Sequence, residues 1–377
     1  MKERPLSRTI GWGILGTGRI AHDFAKALGQ VPEASLHAVC SRSRDKAQGF
    51  AARFGLAKAY DQLADMLKDP GVDVVYVATP PSRHAEDCLA IIAANKAVLC
   101  EKPFTVSAAD ARRVVAAARD KGVFCMEAMW MRFMPLVREA KQLVDAGAIG
   151  QPLMIKADFG YPASPKAHPS LFSPKLGGGA LLDRGVYLLS LSRMILGKPS
   201  SWRIQATLGE NGVDEQCAMS LSHEGGAIAS LSASLRVLAA NEAVIMGTRG
   251  TLRLHAPFYK PHRLTIKTFD APVGTPFVPS SPSLKQRIMG SRALRGLFYR
   301  IEPMLGRAGR TTTRTYDGNG YCYEAREVTR CVAEGRRESE WMTLDDSLAI
   351  VELIEAMQRE LLAPQSGNPP PKEMDLA

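Results

Sequence analysis

Hydrophobic and polar positions divide the chain into two stretches with different rhythms. In the first third, short apolar runs alternate with segments whose apolar residues recur at helical spacing. Residues 9–15 read as a strand, 36–40 as a second and 45–54 as a helix. The run VDVVYVA at 72–78 is almost continuously apolar, as suits a strand buried on both faces. Residues 82–95 read as a helix, 97–100 as a strand, 108–121 as a helix and 123–127 as a closing strand. This βαβα alternation predicts an α/β fold with a doubly wound parallel sheet over residues 1–128.

Beyond about Trp130 the rhythm changes. A helix is predicted over 135–146, followed by β-rich runs at 152–159, 201–208, 215–222, 226–235, 242–247 and 251–254. Glycine and asparagine turns between several of them point to an open, largely antiparallel sheet. Helices at 321–334 and 343–361 end the second α/β domain, set at 129–363, with Thr343 and Asp346 resembling a capping pattern. Residues 364–377, with three consecutive prolines, read as a disordered tail.

The first strand runs into Gly16-Thr17-Gly18-Arg19-Ile20-Ala21, a G-x-G-x-x-A turn opening a helix. Gly16 permits a tight turn, Gly18 lets backbone approach a pyrophosphate, and Ala21 takes the third glycine's place against the strand. Strand two ends in Ser41-Arg42, with no acid until Asp45. An acid there would bind ribose hydroxyls. Ser41 and Arg42 instead suit a 2′-phosphate, so NADP(H) is expected over NAD(H), unless the arginines are merely solvated turn residues. Thr79-Pro80 and Glu101-Lys102-Pro103 follow strands whose carboxyl ends should reach the cofactor crevice, and Pro103 is a candidate for a cis bond. His84 opens the next helix, with either a chemical role or only contact with solvent or the cofactor's ribose.

Farther on, Gly177-Gly178-Gly179 precedes a helical segment in which Asp183 and Tyr187, four apart, share a face. A carboxylate beside a phenol suits hydroxyl binding and proton transfer. A glycine loop followed by a core helix, with Tyr187 only packing, is the alternative. Phe159 and Tyr161, ending the first strand of the second domain, are candidate substrate-site residues.

Taken in order, GILGTGRIA at 13–21, EKP at 101–103, EAMWMRFMP at 127–135, GGGALLDRGVY at 177–187 and GTRGTLRL at 247–254 resemble the Gfo/Idh/MocA oxidoreductases, in particular their dihydrodiol dehydrogenase branch. The resemblance implies a Rossmann domain, a nicotinamide cofactor in the cleft, and homodimers or homotetramers joined through the open sheet. It makes Lys102 the catalytic lysine, with Asp183 and Tyr187 beside it, and places Trp130 and Arg132 near the cofactor. In the mechanism expected from it, Lys102 favours the Tyr187 phenolate, and either residue could be the direct acid/base. Arg184 departs from the apolar residue usual at its position. A non-catalytic nicotinamide-binding sensor and an NAD-using, redox-neutral lyase or glycosidase are the rival classes.

Charge and cysteines adjust this picture only slightly. The net charge is +10, and residues 283–314 carry eight basic residues against the single acid Glu302. Apolar spacing there predicts one or two basic amphipathic helices: a solvated excursion, an anion-handling lid or a partner surface. No known module accompanies them, so no nucleic-acid or membrane partner is expected. The seven cysteines form no CxxC pair, no metal cluster is apparent, and no secretory h-region opens the chain; a reducing, cytoplasmic setting is the expectation.

Overall fold

The computed structural model describes residues 8–269 and 309–362. Its first sheet holds six strands, β1 (Ile10–Leu15), β2 (Ala34–Cys40), β3 (Lys58–Tyr60), β4 (Val74–Val77), β5 (Ala97–Glu101) and β6 (Cys125–Ala128), in the order β3-β2-β1-β4-β5-β6. Every pair is parallel. Helices α1 (Arg19–Leu28), α2 (Arg44–Phe54), α3 (Leu63–Leu67), α4 (His84–Ala93) and α5 (Ala108–Lys121) make the crossovers. All four residues of β4 and all five of β5 are buried, which explains an apolar composition that only Glu101, at the end of β5, interrupts. The strand order reverses beside β1, so the carboxyl ends of β1 and β4 flank the crevice where an α/β sheet takes its ligand.

After α6 (Pro135–Asp145), eight strands build the second sheet: β7 (Pro152–Gly160), β8 (Pro199–Leu208), β9 (Asp214–His223), β10 (Ile228–Ser234), β11 (Ala243–Gly247), β12 (Gly250–Leu254), β13 (Arg263–Thr268) and β14 (Arg310–Thr313). Their order is β14-β13-β12-β11-β7-β10-β9-β8, antiparallel except for the β7/β10 pair. Along β9 and β10 buried and exposed positions alternate, so one face is packed and the other open. Helix α7 (Val186–Leu196) lies on the packed face. Helices α8 (Cys322–Ala333) and α9 (Leu344–Leu362) return to the first sheet, α8 against α1 and β1 and α9 against α5 and β6. The Trp12 indole N–H donates to Thr329 Oγ1 at 3.3 Å, tying β1 to α8.

Three local readings change. The weakly apolar segments at 58–60 and 63–67 form a strand and a short helix that the periodicity did not reveal, because each is too brief to show a period. The predicted basic helices at 283–314 end differently: Arg310–Thr313 is an edge strand paired with β13. Alternating side chains on a sheet edge accommodate Arg310 and the threonines better than a helix does. Residues 283–308, and the tail at 364–377, lie outside the described residues. Among the described residues no helix is long and apolar enough to cross a membrane.

Candidate active site

The turn after β1 is shaped by contact. Gly16 has φ +114°, and a Cβ there would stand 2.6 Å from the Ala78 carbonyl oxygen at the end of β4. Only glycine meets both conditions. Gly18 is different: it caps α1 without a side-chain hydrogen bond, and a Cβ there would meet nothing within 4 Å. The first turn of α1 carries no acid to oppose its free N–H groups and positive dipole end. A helix end of that kind suits a pyrophosphate. Beside it, Thr17 Oγ1 lies 3.4 Å from Ser41 Oγ, Ile20 is half-buried, and Arg19 and Arg42 are exposed. Thr79 gives its hydroxyl to Asp87 at 2.7 Å, which leaves its backbone and Pro80 at the crevice edge.

The end of β5 delivers Lys102, and the Lys102–Pro103 bond is cis. Lys102 Nζ donates to Asp183 Oδ1 at 2.7 Å and to the Asp183 carbonyl at 3.1 Å, and it sits 5.1 Å from the centroid of the Tyr187 ring. The Trp130 indole N–H donates to the Tyr187 hydroxyl oxygen at 2.9 Å. Residues from β5, the turn after β6, and the segment entering α7 thus converge between the two sheets.

The glycine triplet makes that convergence possible. Gly179, at φ +123°, lies so close to Asp214 that a Cβ would stand 2.3 Å from its Oδ1. Asp214 Oδ2 accepts the Leu181 N–H at 2.6 Å and thereby caps the segment; burial pushes its carboxyl up to about 6. Leu181–Gly185 winds as a wide π-type turn before α7 begins. Such turns recur at functional sites. Here it presents Asp183 to Lys102 while Tyr187, on the first turn of α7, packs beside both.

Burial alone would lower the Lys102 ammonium, but Asp183 and Glu101 outweigh it and hold the group above its ordinary value. Burial alone would raise Asp183; Lys102, then Arg184 and His168, hold it below. The pair is therefore an ion pair at neutral pH. The phenol behaves otherwise than expected. Burial, with Glu101, pushes Tyr187 well above its ordinary value, opposed by the Trp130 N–H. The ammonium lies against the ring rather than at the oxygen, so it gives the phenolate little help.

Three residues expected at the cofactor are engaged elsewhere. Arg132 is 1% exposed, and its donors go to Ser190 Oγ (2.8 Å), the Ser190 carbonyl (3.1 Å), the Trp341 carbonyl (3.1 Å) and Asp346 Oδ2 (2.5 Å). It braces α7 against the start of α9. Asp346, whose N–H meets Thr343 Oγ1 at 3.1 Å as the capping pattern predicts, also binds Arg193 at 2.6 Å. His84 is fully buried, its ring nitrogens 2.8 Å from the Pro103 carbonyl and 2.9 Å from the Thr79 carbonyl, so it clamps the two turns rather than meeting a ribose. Glu101 accepts the Lys102 N–H at 3.1 Å and the Tyr76 hydroxyl, which fixes the lysine's turn from behind.

Aromatic rings wall the second-domain side. Phe159 stacks on Tyr259 at 4.6 Å and meets Tyr187 edge-on at 5.2 Å and Tyr161 at 6.0 Å. Trp130 packs against Tyr321 at 4.7 Å and Tyr259 at 5.8 Å. Tyr259 and Tyr321 were not among the expected site residues. Tyr259 sits in a motif-free stretch; Tyr321 opens a helix that the pattern did reveal, and its position after Gly320 is the signal that could have exposed it. Arg184, the irregular residue of the glycine motif, is 6% exposed and lies among these rings, its Cζ 6.0 Å from the Phe159 centroid.

Comparison with known proteins places these features in a wider set. Residues 10–129 match the model of the oxidoreductase family with an NAD-binding Rossmann fold, and residues 137–253 match the GFO/IDH/MocA C-terminal domain. The chain is 32% identical to a trans-1,2-dihydrobenzene-1,2-diol dehydrogenase from Danio rerio over 93% of its own length and 97% of the relative's. The Homo sapiens protein of the same name is 30% identical with the same coverage. Among solved structures, a 3-ketoreductase from Actinomadura kijaniata, in complex with NADP and TDP-benzene, superimposes with a TM-score of 0.73 at 25% identity, covering 93% of this chain and 97% of the other. A levoglucosan dehydrogenase, in complex with NADH and levoglucosan, shares the fold at a TM-score of 0.77 and 20% identity, covering 94% and 97%.

Proposed function

The chain belongs to the Gfo/Idh/MocA family of oxidoreductases, and from that premise we propose that it is an NADP(H)-dependent enzyme moving hydride between the nicotinamide and a carbinol or carbonyl carbon of a sugar, polyol or cyclic dihydrodiol. The observation that carries the reading is a pair of unengaged donors side by side. Lys102 has three N–H bonds, and two go to Asp183. The Tyr187 oxygen accepts from Trp130, so its own proton must look elsewhere, and no acceptor lies in reach among the described residues. Two donors with hydrogen-bonding capacity left over, on neighbouring side chains, suit an oxygen that gains negative charge as hydride arrives at its carbon.

In reduction, a C–H bond forms at the carbonyl carbon, its π pair moves to oxygen, and the oxygen takes a proton from Tyr187 or Lys102. In oxidation the carbinol C–H leaves as hydride while the hydroxyl proton goes to whichever of the two has been deprotonated. When bound, the nicotinamide supplies or accepts that hydride. Asp183 keeps Lys102 charged and in place, and the aromatic wall fits the C–H faces of a sugar or diol ring while excluding water. Ser41 and the exposed, unshielded Arg42 support the choice of NADP(H), as does the absence of an acid at that turn. Seven buried free thiols fit a reducing cytoplasmic setting. Met154 and Ile228, 43% and 42% exposed and paired across β7 and β10, support association of copies through the open sheet face.

A panel of aldoses, inositols and cyclic dihydrodiols, assayed with both cofactors by nicotinamide absorbance, tests the reading. Substrate-dependent formation or consumption of NADPH is expected. Tightly copurifying NAD with turnover but no net absorbance change would make the protein a redox-neutral enzyme. Cofactor binding with no turnover of any compound would make it a sensor.

A further inference from the structure

Arg184 is an expensive residue to bury beside an active site. A guanidinium does not lose its proton in a protein, so its charge enters the wall of the pocket whole. Its Nη1 donates to the carbonyl oxygens of Tyr161 at 2.5 Å and of Ser234, at the ends of β7 and β10. Its Nε lies 3.8 Å from Asp183 Oδ2, beyond hydrogen-bond distance. Nη2 has no partner among the described residues and is not one of their fully enclosed, unpaired polar atoms, which are confined to Glu127, Arg193, His223, Glu324 and Ser347. The two N–H bonds of Nη2 and the one of Nε are therefore left for solvent or a ligand.

Arg184 has no hydrogen-bonded counterion. Lys102 is held by Asp183 at 2.7 Å and by the field of Glu101, whereas Arg184 has only Asp183, at 3.8 Å and already bound to Lys102. His168 adds to the positive field at Asp183 when protonated. A structural tie between two carbonyls needs a donor but not a cation, and a neutral polyol would leave the Arg184 charge without a hydrogen-bonded counterion among the aromatic rings.

We propose that Arg184 reads a carboxylate, so that the preferred substrate is a polyhydroxylated or cyclic carbinol that carries one, of the uronic or aldonic acid type. The guanidinium's planar edge matches a carboxylate, and a bound carboxylate would give Arg184 the hydrogen-bonded counterion that Asp183, at 3.8 Å, does not supply. The proposal rests on the oxidoreductase reading for the words "substrate" and "carbinol", but the anion site itself does not.

Equilibrium binding separates the two. Calorimetric titration of the full chain, with NADP(H) present, compares matched acid and neutral ligands: glucuronate with glucose, galacturonate with galactose, gluconate with glucitol, and glucose 6-phosphate as a second anion. At least one acid is expected to bind tenfold or more tightly than its neutral partner. Arg184→Gln, which keeps a donor for the two carbonyls, should abolish that difference, and Arg184→Lys should restore part of it. Thermal melting checks that both variants fold; should Arg184→Gln not fold, the difference is read on Arg184→Lys and by its loss at high salt. If no acid outbinds its neutral partner, or if Arg184→Gln keeps the difference, the proposal is wrong. If the phosphate outbinds every carboxylate, the carboxylate assignment is wrong. Failure of the oxidoreductase reading appears separately, as acid binding without hydride transfer.

Discussion

The two walls of the crevice are built in different ways. On the first-sheet side every element of the site is contiguous in sequence: a strand ends, a turn follows, and the turn is the site. Gly16, Ser41, Thr79 and Lys102 all stand within two residues of a strand end. On the second-domain side, Phe159, Asp183, Arg184, Tyr187 and Tyr259 come from three separate stretches and meet only because β7 lies beside both β10 and β11 and the glycine motif packs over them. A wall made of local turns is fixed by backbone geometry, whereas a wall made of distant side chains is fixed by packing. The first can hold a cofactor common to many relatives while the second changes with substrate.

The largest expected effect lies where the walls touch. Lys102→Met should leave cofactor binding intact and reduce turnover by about 10²–10⁴-fold, the range for a lost proton-transfer group. Tyr187→Phe removes only a hydroxyl and should reduce turnover strongly with little change in stability. If both donors serve one oxygen, the double variant should be little worse than the poorer single one. Rates for the four proteins on one active substrate decide the matter. Additive losses would mean separate steps, and near-normal Tyr187→Phe would leave the chemistry to Lys102.

Next in size is a test confined to the first wall. Arg42→Ala should weaken NADPH binding by about 1.5–3 kcal/mol, the range for a hydrogen bond to a charged group, and leave NADH almost unchanged. Fluorescence titration with both cofactors measures it. Equal losses would mean that Arg42 does not meet the 2′-phosphate.

This contrast also accounts for what could be read from the sequence. The β1 turn, the lysine at the end of β5 and the glycine motif were legible because each is a local pattern with a local cause. Asp183 and Tyr187 each lie beside Lys102, but on a wider π turn rather than the ordinary helix that their spacing suggested. Arg132 and His84 misled for one reason: a polar residue near a strand's carboxyl end can face the ligand or brace the turn that does. Only the positions of Ser190, Asp346 and two carbonyl oxygens decide which. Tyr259 was invisible because nothing near it in sequence shares its task. The three glycines also serve a structural end that spacing does not reveal, since they bring Gly179 against Asp214 and Gly178 against the Leu171 carbonyl.

The first sheet itself has a second, structural edge that sharpens the comparison. Asp69, 4% exposed and away from the crevice, accepts from Lys58 Nζ at 3.0 Å, Gly71 N at 2.9 Å and the Tyr60 hydroxyl at 2.8 Å. Burial would raise its carboxyl, but these donors, with His37, hold it well below its ordinary 3.8. Its contribution to stability is then complete above about pH 3.8 and is lost as pH falls toward the folded value. Asp69→Asn should cost about 1.5–3 kcal/mol at neutral pH, show a shallower acid dependence, and leave kinetic constants unchanged. Denaturant melts at neutral and acid pH check this; an unaltered acid limb would remove Asp69 from the account.

The smallest effect tests whether the two walls communicate through a single hydrogen bond. Trp130 belongs to the turn after β6, yet its indole N–H donates to the Tyr187 oxygen on α7. That donor holds the phenol down against burial and Glu101. Trp130→Phe keeps an aromatic ring against Tyr321 and Tyr259 and removes the N–H alone. A neutral hydrogen bond contributes about 0.5–1.5 kcal/mol, so the rate should fall only about two- to tenfold. The informative readout is the pH profile. With the donor gone, the phenol holds its proton more tightly, so an alkaline rise in the oxidation rate should move to higher pH, whereas a mere packing defect would lower the rate evenly across the range. An unshifted profile would mean that Lys102, and not Tyr187, carries the titrating proton.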